Sequence, residues 1–201
     1  LQRPCADVLE VIGGIRADTM LDVTEVGSLP ASARVLDPME APWTTELVID
    51  CGDWTAYLNN AIGGSDITAI APAVARMMNT VCVVAQHTLQ HGPGHAATQL
   101  WLQGPGGKPP LMYVRTLSAH CRDGRWSWYT SGTMQDFERP ERYERRRIAQ
   151  RLDRALLVEY LDALGIPVDD PSFFGDGTAV RQIVDWDRRR QTVAQWLAAN
   201  R

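Results

Sequence analysis

Lysine is almost missing from this chain: all but one of its 20 basic residues are arginine, the exception being Lys108. That bias fits a GC-rich coding sequence before it fits a chemistry. Long apolar runs are missing too, and nothing approaches the roughly 20 residues that cross a bilayer as a helix. The first residues show no charged stretch, apolar core and small-residue cleavage site in succession, so the expectation is a cytoplasmic protein without a membrane role. There is no Cys-x-x-Cys. Cys5, Cys51, Cys82 and Cys121 stand far apart, which favours reduced thiols over a disulfide framework in a chain of this size. Nucleophile signatures are absent as well: no Gly-x-Ser-x-Gly, no His-Glu-x-x-His, no local Cys/His pattern, and no pair of acids to nominate for acid-base work.

What is present is an ordinary globular composition, 45% hydrophobic and 22% charged over 201 residues, enough for one good core. The net charge of -4 conceals an asymmetry. Residues 1–50 hold nine acids against three arginines, whereas residues 139–154 hold seven arginines against three acids. Such a split suits a charged partner for the basic part, and equally suits two parts that face each other within one molecule.

Local signals order much of the chain. A helix is expected around residues 7–15, followed by a loop-like stretch with Gly27, Pro30, Pro38 and Pro42, so residues 1–43 read as an N-terminal extension that packs on the domain or pairs at its edge. Residues 46–50 and 54–58 read as strands joined by a turn at Cys51-Gly52-Asp53. Ser65 or Asp66 is the expected N-cap of a helix reaching about Asn79, with Pro72 in its first turns or kinking it. Strands are then expected at 81–85 and 99–103. The clearest signal is a hairpin, 111–120 and 125–130 about Asp123-Gly124, because Asp-Gly between alternating segments favours the tight primed turn. Pro140 at one end and Gly165 before Ile166-Pro167 at the other bound a long arginine-rich helix over 140–164. A strand near 180–186 and a final helix over 187–200 complete the reading. Strands in runs rather than in alternation with helices indicate an α+β fold. The expectation is one domain over 44–201, an antiparallel sheet of about five or six strands in the order strand-strand-helix-four strands-helix, covered by the helices at 66–79 and 140–164.

Three groups of residues could act. His87, His91 and His95 lie close enough in sequence to converge on zinc, since neutral imidazole is a common metal ligand. Against this, Gly92-Pro93-Gly94 breaks any helix that would align them, and no acid lies within the segment. The second group, Gln103-Gly-Pro-Gly-Gly-Lys-Pro-Pro110, could wrap phosphate, but phosphate loops run from strand into helix and this one runs between strands. The third is the basic stripe Arg147, Arg151 and Arg154, at helical spacings of four and three, with Tyr113, Arg115, Trp126 and Trp128 on the neighbouring hairpin. Its bland alternative is a solvated face with local pairs such as Glu141 with Arg145 and Glu144 with Arg147.

The run Trp54-Thr-Ala-Tyr57, Tyr113-Val-Arg-Thr116, Asp123-Gly-Arg-Trp126, Ser131-Gly-Thr133, Phe137-Glu138, Tyr143 and Arg145-Arg-Arg147 resembles a family of uncharacterised actinobacterial proteins over residues 45–166. The resemblance implies an actinobacterial setting and carries no activity, cofactor or binding residue. The expectation ranked first is a non-enzymatic protein-interaction module of adaptor or immunity type, binding an acidic protein surface or a second copy of itself through the basic stripe and hairpin aromatics. The alternatives are a small metal-dependent hydrolase built on the three histidines and nucleic-acid binding through the arginines, the latter disfavoured by a sequence pI near 5.5.

Overall fold

The computed structural model describes residues 1–17, 19–62, 70–89, 95–183, 191–193, 195 and 198. The fold is α+β, and it is built on two four-stranded antiparallel sheets rather than the single larger sheet expected. The chain divides into two compact units: Leu1–Met77 joined by Pro171–Arg201, and Met78–Asp170. Residues 1–43, expected as an N-terminal extension, fall within the first unit.

In that unit helix α1 (Cys5–Ile15) begins after Pro4 with Asp7 in its first turn, and buries Val8 and Ile12 one turn apart. Strand β1 (Met20–Ser28) follows within the stretch that read as loop. It was hidden because its apolar residues, Leu21, Val23 and Val26, do not keep to one face of a period-2 pattern. Short β2 (Glu40–Ala41), then β3 (Thr45–Cys51) and β4 (Trp54–Asn59), come next. The turn between β3 and β4 is where it was expected, with Gly52 at φ +69°. Helix α2 (Ile70–Met77) holds Pro72 in its first turn. Its expected N-cap residues lie outside the described ones. Strand β9 (Asp176–Ile183) returns from far along the chain to lie between β1 and β3, giving the order β1-β9-β3-β4. Central β3 is buried on both faces. Strand β10 (Gln191–Thr192) pairs with β2. The expected C-terminal helix over 187–200 lies largely outside the described residues.

The second unit is a meander of β5 (Cys82–Thr88), β6 (Ala96–Lys108), β7 (Tyr113–Arg122) and β8 (Arg125–Gly132), paired in chain order. Its last turn is the one the sequence announced: Arg122 opposes Arg125, and Asp123 and Gly124 take φ of 51° and 76°, both left-handed as the type I′ turn requires. One face of this sheet is the core. Leu100, Leu117 and Ala119 lie under Leu152, Leu156, Leu157, Tyr160 and Leu161. Each of the large side chains fully removed from water there contributes roughly 1.5–3 kcal/mol.

The expected continuous helix over 140–164 does not form. In its place stand a single turn, α3 (Pro140–Tyr143), a 3-10 turn at Ile148–Gln150, and α4 (Arg154–Ala163). Asp153 is extended and its carboxylate accepts the Leu156 N–H at 2.9 Å, an N-cap that starts a new helix. Arg147 is extended as well, at φ -83° and ψ 112°. The kinked path lets Ile148 and Leu152 both reach the core cluster. The C-terminal stop is as read: Gly165 at φ +76° follows α4, and the Ile166 N–H reaches the Leu161 carbonyl at 2.9 Å.

Candidate functional site

The break of the helix redistributes its arginines. Arg142 donates to the Gln150 carbonyl at 3.1 Å and forms an ion pair with Asp153 at 2.5 Å. Arg151 donates through Nε to the Arg145 carbonyl at 2.8 Å. Arg139 pairs with Glu159, and Arg154 with Asp169. Arg147, Arg151 and Arg154 therefore do not share one side of a helix: the first lies in an extended link, the second holds the chain's own backbone, and the third is engaged by an acid. By contrast Arg145, Arg146 and Arg147 are all exposed, and their guanidinium groups have no partner among the described residues. They form a short basic ridge. It is bracketed by Tyr143, whose ring lies 5.1 Å from that of Trp128 on β8, and by the 3-10 turn, which packs on β7 and β8.

Arg115, expected as part of a binding platform, is a buried structural group. Its guanidinium forks onto the Glu138 carboxylate, Nε to Oε1 at 2.8 Å and Nη2 to Oε2 at 2.7 Å, with Nη1 donating to the Ser131 and Gly132 carbonyls. Glu138 also accepts the Gln135 N–H and the Tyr143 hydroxyl, each at 2.8 Å. Tyr143 in turn lies 3.0 Å from the Tyr160 hydroxyl, which accepts the Arg139 N–H at 2.8 Å. Burial lowers the affinity of Arg115 for its proton, but the hydrogen bond and charge of Glu138 more than offset this and raise it above the ordinary arginine value. Tyr143 and Tyr160 are also pushed upward, first by burial. Such tyrosines hold their protons and serve as donors, not as bases.

The hairpin aromatics divide. Trp126 and Trp128 are half-buried against the core of the α4 face, so their rings are mostly scaffold. Tyr113 stands edge-on to Trp101 at 6.4 Å. Tyr129 is 54% exposed on β8.

His87 is exposed, with Nδ1 at 3.0 Å from the Thr98 hydroxyl of the adjacent strand. His95 is exposed at the start of β6, and His91 lies outside the described residues. No group of metal-binding side chains occurs among the described residues. The phosphate-loop reading of residues 103–110 also meets strand: β6 runs through to Lys108, with no helix after it.

In the first unit a cavity of about 410 Å³ is lined by Asp22, Asp37, Glu40, Thr45 and Arg181 among others. The Glu40 carboxylate there accepts from the Thr44 hydroxyl and, at 3.2 Å, from the Asn60 amide. On the opposite face of the sheet fully buried Glu46 accepts from Arg16 at 2.7 Å and Tyr57 at 2.9 Å. No helix among the described residues is long and apolar enough to cross a membrane. Compared with models of protein families, with curated proteins and with solved structures, the chain matches none of them.

Proposed function

We propose that this chain is a non-enzymatic interaction module of adaptor or immunity type, and that the ridge of Arg145, Arg146 and Arg147 receives an acidic protein surface. One observation carries the reading. Arginines 115, 139, 142, 151 and 154 are each spent on an internal carboxylate or carbonyl, while these three consecutive ones are exposed and unspent. Three like charges on adjacent residues repel one another and add nothing to folding, so their use is sought outside the fold. Arginine also suits the task, because its fork matches carboxylates in two-pronged geometry.

The test is photo-crosslinking from position 146 in cells, identification of the adduct, and reconstitution with the purified partner. R145E/R146E/R147E is expected to abolish binding with an unchanged melting temperature, and substitution of all three by lysine to retain part of it. Undiminished binding by the triple reversal would overturn the reading. So would preferential binding of a DNA or RNA duplex with a steep loss of affinity as salt rises, the signature of counterion release.

A further inference from the structure

We infer that the partner's acidic segment docks as an added antiparallel or parallel strand on the outer edge of β8, with its carboxylates meeting the 145–147 ridge. The inference rests on the interaction reading above and names how that surface is used.

Among the described residues β8 pairs only with β7, and the phase of the ladder is set by the Thr133 N–H bonding the Val114 carbonyl beside the opposed residues Arg115 and Gly132. In an antiparallel pair the backbone groups of alternate residues point toward the partner and away from it. Arg125, Ser127, Tyr129 and Ser131 therefore face β7, and Trp126, Trp128 and Thr130 turn their N–H and C=O outward, where no described strand lies. Beyond them Arg115 takes up the Gly132 carbonyl at 3.2 Å, which ends the free edge at Thr130.

The other edges differ in ways that matter. Strands at sheet edges are ordinarily blunted by bulges, charges, prolines or a covering segment. β1 carries Asp22 and Glu25 and a register shift between Val26 and Ser28. β4 is covered at Thr55, which exchanges backbone hydrogen bonds with Leu1 at 2.7 and 3.0 Å. β5 bears no acid, arginine or lysine to specify a partner. β8 has an unbroken register and no proline, and its one charged residue, Arg125, is exposed at the strand's start.

Charge complementarity then selects the occupant. Trp126, Trp128 and Thr130 project to the α4 side of the sheet, the side on which the ridge runs. A strand laid against β8 places every second side chain on that side, so acids at alternate positions would meet Arg145, Arg146 and Arg147. The residues between them would lie beside Ser127 and exposed Tyr129, where β-branched side chains pack well. Main-chain bonds would supply affinity and the alternate side chains specificity. The partner is thus an extended segment with glutamate or aspartate at every second position.

The probe is the capped peptide Thr-Glu-Val-Glu-Val-Glu-Thr at low salt, with hydrogen exchange followed amide by amide. Its outward amides at Trp126, Trp128 and Thr130 are expected to exchange at least about tenfold more slowly when it binds. Thr130→Pro removes one outward N–H without touching the β7 ladder, and is expected to weaken binding by roughly tenfold at an unchanged melting temperature. A peptide of equal charge with proline in place of both valines should not bind. If the peptide binds but exchange is unaltered and both proline changes are tolerated, strand addition is wrong while the ridge still captures acids. If wild-type protein binds no acidic peptide, strand addition is likewise wrong, and the crosslinking test above decides the interaction reading by itself.

Discussion

Arg115 and Glu138 show what single residues contribute here. Both side chains are nearly removed from water, at 7% and 0% exposure, so each charge is tolerable only because the other and two further groups surround it, the Ser131 and Gly132 carbonyls at Arg115 and the Gln135 N–H and Tyr143 hydroxyl at Glu138. Deleting one partner strands the other in a medium that solvates it poorly. Glu138→Ala is therefore expected to destabilise the fold by about 3–5 kcal/mol, read from urea unfolding. Asp169→Ala, which removes the partner of exposed Arg154, should leave the urea midpoint unmoved, because water and ions already screen that pair. The sequence makes the two arginines look alike. Arg115 sits on a strand among aromatics and read as a surface residue, since nothing local indicates a carboxylate 23 residues away returning to meet it.

At the level of elements, the hairpin and the helix were equally clear as patterns and fared differently. The I′ turn depends on two residues adopting positive φ, which Asp123 and Gly124 supply locally, and no distant contact competes with it. The helix over 140–164 had good formers and good end signals, yet propensity is worth only tenths of a kcal/mol per residue. Burying Ile148 and Leu152 together, with Asp153 free to cap α4, outweighs that sum. Asp153→Ala should thus cost about 1 kcal/mol in unfolding free energy, and Asp153→Asn, which keeps the cap while losing the charge offered to Arg142, should recover most of it. A stability gain on removing the cap would mean that a continuous helix competes after all.

For the molecule as a whole, connectivity separates the two units. The second is one uninterrupted segment whose sheet pairs in chain order, so its contacts close short loops and carry little entropic cost. The sheet of the first requires β9 between β1 and β3, bringing Val23 opposite Val180 and Glu46 opposite the same residue across more than half the chain. A fragment of residues 78–170 is expected to fold alone, with near-ultraviolet circular dichroism from Trp126 and Trp128 and a cooperative thermal transition. Residues 1–77 alone should give neither cooperativity nor protected β3 amides, because both neighbours of β9 would be left without it. A folded 1–77 fragment would show that β3 and β4 with α1 suffice.

The amino-acid sequence by itself determined what depends on a few adjacent residues: the α+β class, the turns at Gly52 and Gly124, the strands they join, helix α1 and the stop at Gly165. These follow from local dihedral preferences and side-chain alternation, which act without knowledge of the rest of the chain. The strand order, the division into two units, the breaking of the basic helix, and which arginines are held within the fold and which stay exposed came from the tertiary structure alone. Those outcomes depend on pairing and burial between residues far apart, and there small local preferences are overruled by the larger free energies of a filled core and of buried charges that must be matched.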